Sequence, residues 1–163
     1  MSHTVITIAR QYGSGGKTVG KMLAEDLGIH FYDREIIRLA SDESGISEQL
    51  FGAADETPKS GILGRIAQKI YTGEVLPPDS DDFASTDNLF NYQAKIIKQI
   101  AEEESCVIIG RCADFVLKDF DNVISVFVHG PFDFCLKEAM KKFSKTEDEM
   151  RRFIQKKDKY RGD

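Results

Sequence analysis

Tryptophan is absent from the 163 residues, and no apolar run approaches the roughly 18 residues that a membrane-spanning helix needs. The N-terminus has no cationic segment followed by an apolar signal core, so a cytoplasmic protein without a membrane partner is expected. Cysteine is scarce. Cys106, Cys112 and Cys135 form an odd set with no zinc-ligand spacing, which argues against a disulfide framework and a zinc centre and fits reduced thiols. Positive charge is also short: 22 basic side chains stand against 27 acidic ones, a net charge of −5 that argues against a general nucleic-acid binder. With 41% apolar and 30% charged residues over this length, one soluble domain spanning residues 1–163 with a real core is expected. Nothing in the pattern sets an oligomeric state.

The chain is organised around VITIARQYGSGGKTVGKMLA, Val5 to Ala24. Val5 to Ala9 is an apolar, β-branched run. A turn with Gly13, Gly15 and Gly16 follows, and Thr18, Val19, Met22, Leu23 and Leu27 then recur at helical spacing. Strand, glycine loop and helix leave free backbone N–H groups aimed into the loop, where the helix dipole adds to their pull on an anion. Phosphate suits that geometry. The strict phosphate-loop pattern G-x-x-x-x-G-K-[ST] is incomplete, because Gln11 stands where its first glycine belongs. Lys17 and Thr18 still supply an ammonium for phosphate oxygens and a hydroxyl for magnesium. An ordinary glycine-rich turn fits the same residues.

Gly28 is expected to cap the first helix, and Ile29 to Tyr32 reads as a short strand with Asp33 at its end. Ligands in open α/β sheets lie beyond the carboxyl ends of the strands, which places Asp33 and Arg34 toward a bound nucleotide. Asp33 equally suits the cap of a helix starting near Glu35, with Ile36, Ile37 and Leu39 toward its buried face. Ile62 to Tyr71 has helical spacing, and the acids Asp79, Asp81, Asp82 and Asp87 lie in a loop that matches no metal-ligand pattern. Asn88 to Glu104 is the cleanest long helix, with Leu89, Tyr92, Ile96, Ile97 and Ile100 as its apolar stripe. Gln93 lies on it, facing either the site or solvent. Cys106 to Ile109 is a buried strand ending at Gly110 and Arg111, whose guanidinium can fork onto a phosphate or pair with Asp33 or Asp114. Ala113 to Leu117 starts a short helix, and Val123 to Val128 is a further strand ending at His129. Strand and helix in alternation predict a parallel sheet covered on both faces, a three-layer α/β/α arrangement. Phe132 to Asp163 reads as two basic helices meeting near Ser144, with Thr146 and Glu149 as a capping box. They form a lid over polyphosphate or a solvated charged face.

These pieces, ARQYGSGGKTVGKMLAEDLGIHFYDREII, NYQAKIIKQIAEEESCVIIGRCADFVLKD, VISVFVHGP and FIQKKDKYR, resemble the nucleoside monophosphate kinases and, among them, the cytidylate kinase-like proteins of bacteria. The resemblance implies a P-loop NTPase fold, with an acceptor-side helical segment over about 41–90 and a basic helical lid over about 132–161. It implies transfer of the γ-phosphoryl of ATP to CMP or dCMP with Mg²⁺, and a last strand and helix beyond this chain's final residue. Gly13, Ser14, Gly15, Gly16, Lys17 and Thr18 resemble the phosphate loop, with Thr18 or Ser14 on the metal. Asp33 resembles the acid near the acceptor nucleotide, Arg111 the arginine that holds the acceptor phosphate, and Arg161 a lid arginine, with Arg151 and Arg152 as looser matches.

The chain also departs from that pattern. Gly16 occupies the usual lysine position, so Lys17 is displaced by one residue; Cys135 stands near an expected lid arginine; and the familiar GRD is GRC at Gly110 to Cys112. Each change touches phosphate handling. They motivate two rivals to an active nucleotide kinase: a nucleotide-binding regulatory module that has lost catalysis, and a small-molecule kinase with another acceptor.

Overall fold

The computed structural model describes residues 3–51, 75 and 86–162. Its elements run β1 (Val5–Arg10), α1 (Gly16–Leu27), β2 (His30–Tyr32), α2 (Glu35–Ser44), α3 (Thr86–Glu103), β3 (Cys106–Ile109), α4 (Ala113–Val116), β4 (Val123–Val128), α5 (Phe132–Met140) and α6 (Glu147–Gly162). The sheet order is β2-β3-β1-β4, and every pairing is parallel. The helix expected over Ile62 to Tyr71, the acids Asp79, Asp81 and Asp82, and most of the acceptor-side segment lie outside the described residues.

Successive strand residues point to opposite faces, and the core divides accordingly. Ile6 and Ile8 of β1 join Val107 and Ile109 of β3 and Ala24 of α1 on one face. Val5, Cys106 and Ile108 join α2, α3 and α4 on the other. A sheet covered on both sides explains the unbroken apolar run of β3, all four residues of which are buried. Leu89, Tyr92, Ile96, Ile97 and Ile100 of α3 are all buried, as their spacing predicts.

One expectation changes. Helix α1 turns only part of its apolar stripe inward: Leu23 packs against the core, Val19, Met22 and Leu27 are about half exposed, and Gly16, Gly20 and Ala24 are buried. Small residues let the helix lie close on the sheet, since a methyl group at Gly20 would lie 2.8 Å from Ile109 Cδ1 and 3.1 Å from Ile8 Cδ1. Gly20→Ala therefore trades better helix propensity against overpacking, and a net loss of about 1–2 kcal/mol is expected. Urea denaturation checks this; an unshifted midpoint would mean that the helix stands farther from the sheet. Strand β4 forms over Val123–Val128 as expected. Among the described residues it pairs with β1, and Ile124, Val126 and Phe127 are exposed.

Gly28 caps α1 in a left-handed conformation, its N–H directed at the carbonyls of Ala24 and Glu25. The N–H of Glu149 donates to Thr146 Oγ1 at 3.3 Å, the N-cap half of the predicted capping box. Helices α5 and α6 close a small core of their own from Leu136, Ala139, Met150 and Ile154.

Candidate functional site

Three turns meet at the carboxyl ends of the parallel strands. The first follows β1. Gly13 and Gly15 take φ values of 77° and 87°, which L residues rarely adopt, and Gly15 is the N-cap of α1. The first bond into the helix runs from Val19 N–H to the Gly15 carbonyl, leaving the N–H groups of Gly16, Lys17 and Thr18 without an acceptor inside the helix. No acidic side chain occupies its first turn. The loop is held shut internally: Ser14 Oγ donates to the Gln11 carbonyl at 2.7 Å, and Gln11 N–H donates to the Val128 carbonyl at 3.0 Å.

The second turn carries Asp33, which does not cap α2. Arg34 holds the N-cap position without a side-chain cap bond, and the Asp33 carboxylate faces cations instead. Lys17 Nζ lies 3.1 Å from Asp33 Oδ2, and Arg111 Nη2 lies 3.7 Å from Asp33 Oδ1. The ammonium thus points inward across the crevice, and of the two acids open to Arg111, Asp33 is the one within ion-pair distance.

The third turn follows β3. Gly110, Arg111 and Cys112 have φ of 63°, 60° and 54°, three left-handed residues in succession. For the two that are not glycine this conformation costs roughly 1 kcal/mol or more each. Its effect is to turn Arg111 back over the strand ends, where its side chain is 11% exposed. Burial lowers the Arg111 pKa, the Asp33 carboxylate raises it, and Arg10 and Arg34 lower it further. A guanidinium remains charged at neutral pH under such shifts, so the turn presents a fixed, poorly hydrated cation.

Around this centre the remaining candidates are dispersed. Arg34 is exposed beside Arg111, and Thr18 is exposed in the first turn of α1. Gln93 is buried, at 4% exposure, which overturns its solvent-facing alternative. Arg152 is exposed on α6, and the Arg161 side chain lies outside the described residues. Arg151 pairs with Glu147 on its own helix at 2.8 Å and lies over the Phe132 ring. Burial pushes the Cys106 thiol up to about 12 and also raises that of Cys135, helped there by Asp158, which disfavours the reactive thiolate at both.

Two connections are invisible in sequence spacing. Tyr12 N–H in the loop donates to Asp158 Oδ1 of α6 at 2.7 Å, and the Tyr12 ring meets Phe153 edge-on at 5.1 Å. The α5–α6 hairpin is therefore seated on the glycine loop. The sequence expectation also missed Arg10, the last residue of β1, which is half-buried and whose guanidinium interacts with Asp33. The strand-end rule that singled out Asp33 and Arg111 applies to it equally.

Magnesium chemistry fits the residues present. Thr18 offers an exposed hydroxyl at the third helical position; Ser14 uses its proton inside the loop but keeps oxygen lone pairs. Magnesium retains waters and needs few protein ligands when phosphates supply the rest.

A family model for the cytidylate kinase-like family matches residues 5–163. A crystal structure of an uncharacterized protein from Eubacterium ventriosum is similar over 98% of this chain and 73% of its own, at 28% identity and a TM-score of 0.63. No curated protein matches significantly. Among the described residues, no helix is long and apolar enough to cross a membrane.

Proposed function

The chain belongs to the cytidylate kinase-like family, and we propose that it transfers the γ-phosphoryl of ATP to a nucleoside monophosphate, CMP or dCMP first. One observation carries the reading: Lys17 from the glycine loop and Arg111 from the turn after β3 converge on one carboxylate at the strand ends. Two cations, one from the donor side and one from the acceptor side, that face the same space can neutralise the charge spread over a transferring phosphoryl group.

The N–H groups of Gly16, Lys17 and Thr18 and the Lys17 ammonium hold the β- and γ-phosphates of ATP, within the cradle of Gly13, Ser14 and Gly15. Thr18, with Ser14 beside it, is the residue that would hold magnesium, which would supply positive charge to offset that of the phosphates. Arg111 fixes the acceptor phosphate, and Asp33 and Arg34 border the acceptor nucleotide, with Gln93 as a further group on that side. As phosphate enters, Lys17 exchanges Asp33 for phosphate oxygens. Arg152 and Arg161 of α6 supply lid charge, and the Tyr12–Asp158 bond passes loop occupancy to that helix. No general base is needed, since an acceptor phosphate is already anionic at neutral pH. A protein of the cytoplasm fits such substrates.

The decisive experiment is a coupled ADP-release assay of the chain with ATP–Mg²⁺ and a panel of CMP, dCMP, UMP and AMP. Turnover with CMP or dCMP above the others is expected. ATP binding by calorimetry with no turnover across the panel would replace this reading with the non-catalytic module, which the displaced Lys17 motivates. Turnover with an acceptor other than a nucleoside monophosphate would replace it with the small-molecule kinase.

A further inference from the structure

Arg10 ends β1, the strand that feeds the glycine loop, and pairs in register with Val128. A methyl group at Gly16 would lie 2.6 Å from Arg10 Cβ and 2.9 Å from its Cγ, so the stem of Arg10 runs against the first residue of α1. A methyl group at Gly110 would lie 2.8 Å from Arg10 Nη1, so the guanidinium ends at the turn that carries Arg111. Two glycines on separate elements leave the channel this side chain fills. Its head is drawn electrostatically to Asp33, the same carboxylate that Lys17 and Arg111 approach.

Burying one guanidinium against another is unfavourable, and the proximity of Arg10 lowers the pKa of Arg111. Asp33 brings a single negative charge toward both. An anion with two or more charges offsets repulsion between guanidiniums more strongly, and the planar donor fork of arginine matches tetrahedral phosphate oxygens. Arg10 reaches from the donor loop to the acceptor turn.

We infer that Arg10 is a second phosphate-binding arginine of this site, contacting the phosphoryl group that lies between the glycine loop and Arg111. Its catalytic part rests on the kinase reading above; its anion-binding part does not. Because it touches the group that changes hands, its contribution is larger in the transition state than in the binding of either nucleotide.

The test uses the chain and its Arg10→Met and Arg10→Lys variants, with inorganic tripolyphosphate as a probe that needs no base recognition. Methionine keeps an unbranched stem against Gly16 and removes only the charged head. Calorimetry is expected to show tripolyphosphate affinity about 10-fold or more weaker in Arg10→Met, with Arg10→Lys between the two. In the ADP-release assay kcat is expected to fall about 100-fold in Arg10→Met, with the monophosphate KM changed much less. Tripolyphosphate affinity that is the same in wild type and Arg10→Met, or no binding by wild type, overturns the assignment. Wild-type binding that Arg10→Met loses, with no monophosphate supporting ADP release, would remove the kinase reading and leave Arg10 as an anion ligand. Should Arg10→Met fail to fold, Arg10→Lys decides: wild-type affinity and kcat in that variant overturn the assignment.

Discussion

In Lys17→Ala, CMP-dependent ADP release is expected to fall about 10²- to 10³-fold in kcat, while the KM for CMP moves only a few-fold. The asymmetry follows from position. Lys17 leaves the second residue of α1 and reaches Asp33 at 3.1 Å, but its side chain is 57% exposed and unconfined. Such an ion pair stabilises the fold by less than about 1 kcal/mol, so a large loss of rate could not come from unfolding. The ammonium instead acts where charge accumulates on the transferring phosphoryl, a contact whose loss appears in turnover. Arg111, on the acceptor side, is expected to give the complementary result, with KM for CMP rising in Arg111→Lys. Steady-state kinetics on both variants separates the roles. Unchanged turnover in Lys17→Ala would discard the phosphate-loop function assigned to it.

Much of this arrangement is legible in the sequence, for a physical reason. Strands buried on both faces read as unbroken apolar runs, and β1 and β3 announce themselves in that way. Gly13, Gly15 and Gly16 announce the loop between β1 and α1. The rule that ligands gather at carboxyl ends of parallel strands then singles out Asp33 and Arg111 before any coordinates.

What escapes is what depends on distance between packed elements. Helix α1 looks like an amphipathic helix that buries Val19 and Met22, yet close approach at Gly20 leaves both about half exposed, and a periodicity of large side chains cannot reveal a contact made by a missing one. Strand β4 is nearly as apolar as β3, yet Ile124, Val126 and Phe127 are exposed among the described residues. Arg10 is overlooked because basic residues at strand ends are common, and only the channel between Gly16 and Gly110 shows what its side chain spans. The bond from Tyr12 to Asp158 joins residues 146 positions apart, beyond any local pattern.

That last connection sets up the other large effect, because Gly13 is squeezed between the loop and α5. A methyl group at Gly13 would lie 2.5 Å from the carbonyl oxygen of Cys135 and 3.2 Å from its Cα, backbone atoms that cannot swing aside. Gly15, two residues on, has the same left-handed backbone, with φ of 87° against 77°, but a methyl group there meets nothing within 4 Å. The two substitutions to alanine share the conformational cost of about 1 kcal/mol, and Gly13→Ala adds an overpacking cost of about 1–3 kcal/mol. At about 2–4 °C per kcal/mol for a domain of this size, Gly15→Ala is expected to lose about 3 °C in Tm and Gly13→Ala about 5–15 °C. The clash has one other outlet, in which α5 and α6 move off the loop and break the bond from Tyr12 N–H to Asp158. Asp158→Asn weakens that bond without touching Gly13, so it is expected to reproduce any loss of ATP affinity that arises from an unseated hairpin but not the full fall in Tm. Differential scanning calorimetry with ATP titration on the three variants reads both quantities. Equal Tm values for Gly13→Ala and Gly15→Ala would show that α5 does not bear on the loop, and the hairpin would then lose its place as the element that reports a filled phosphate site.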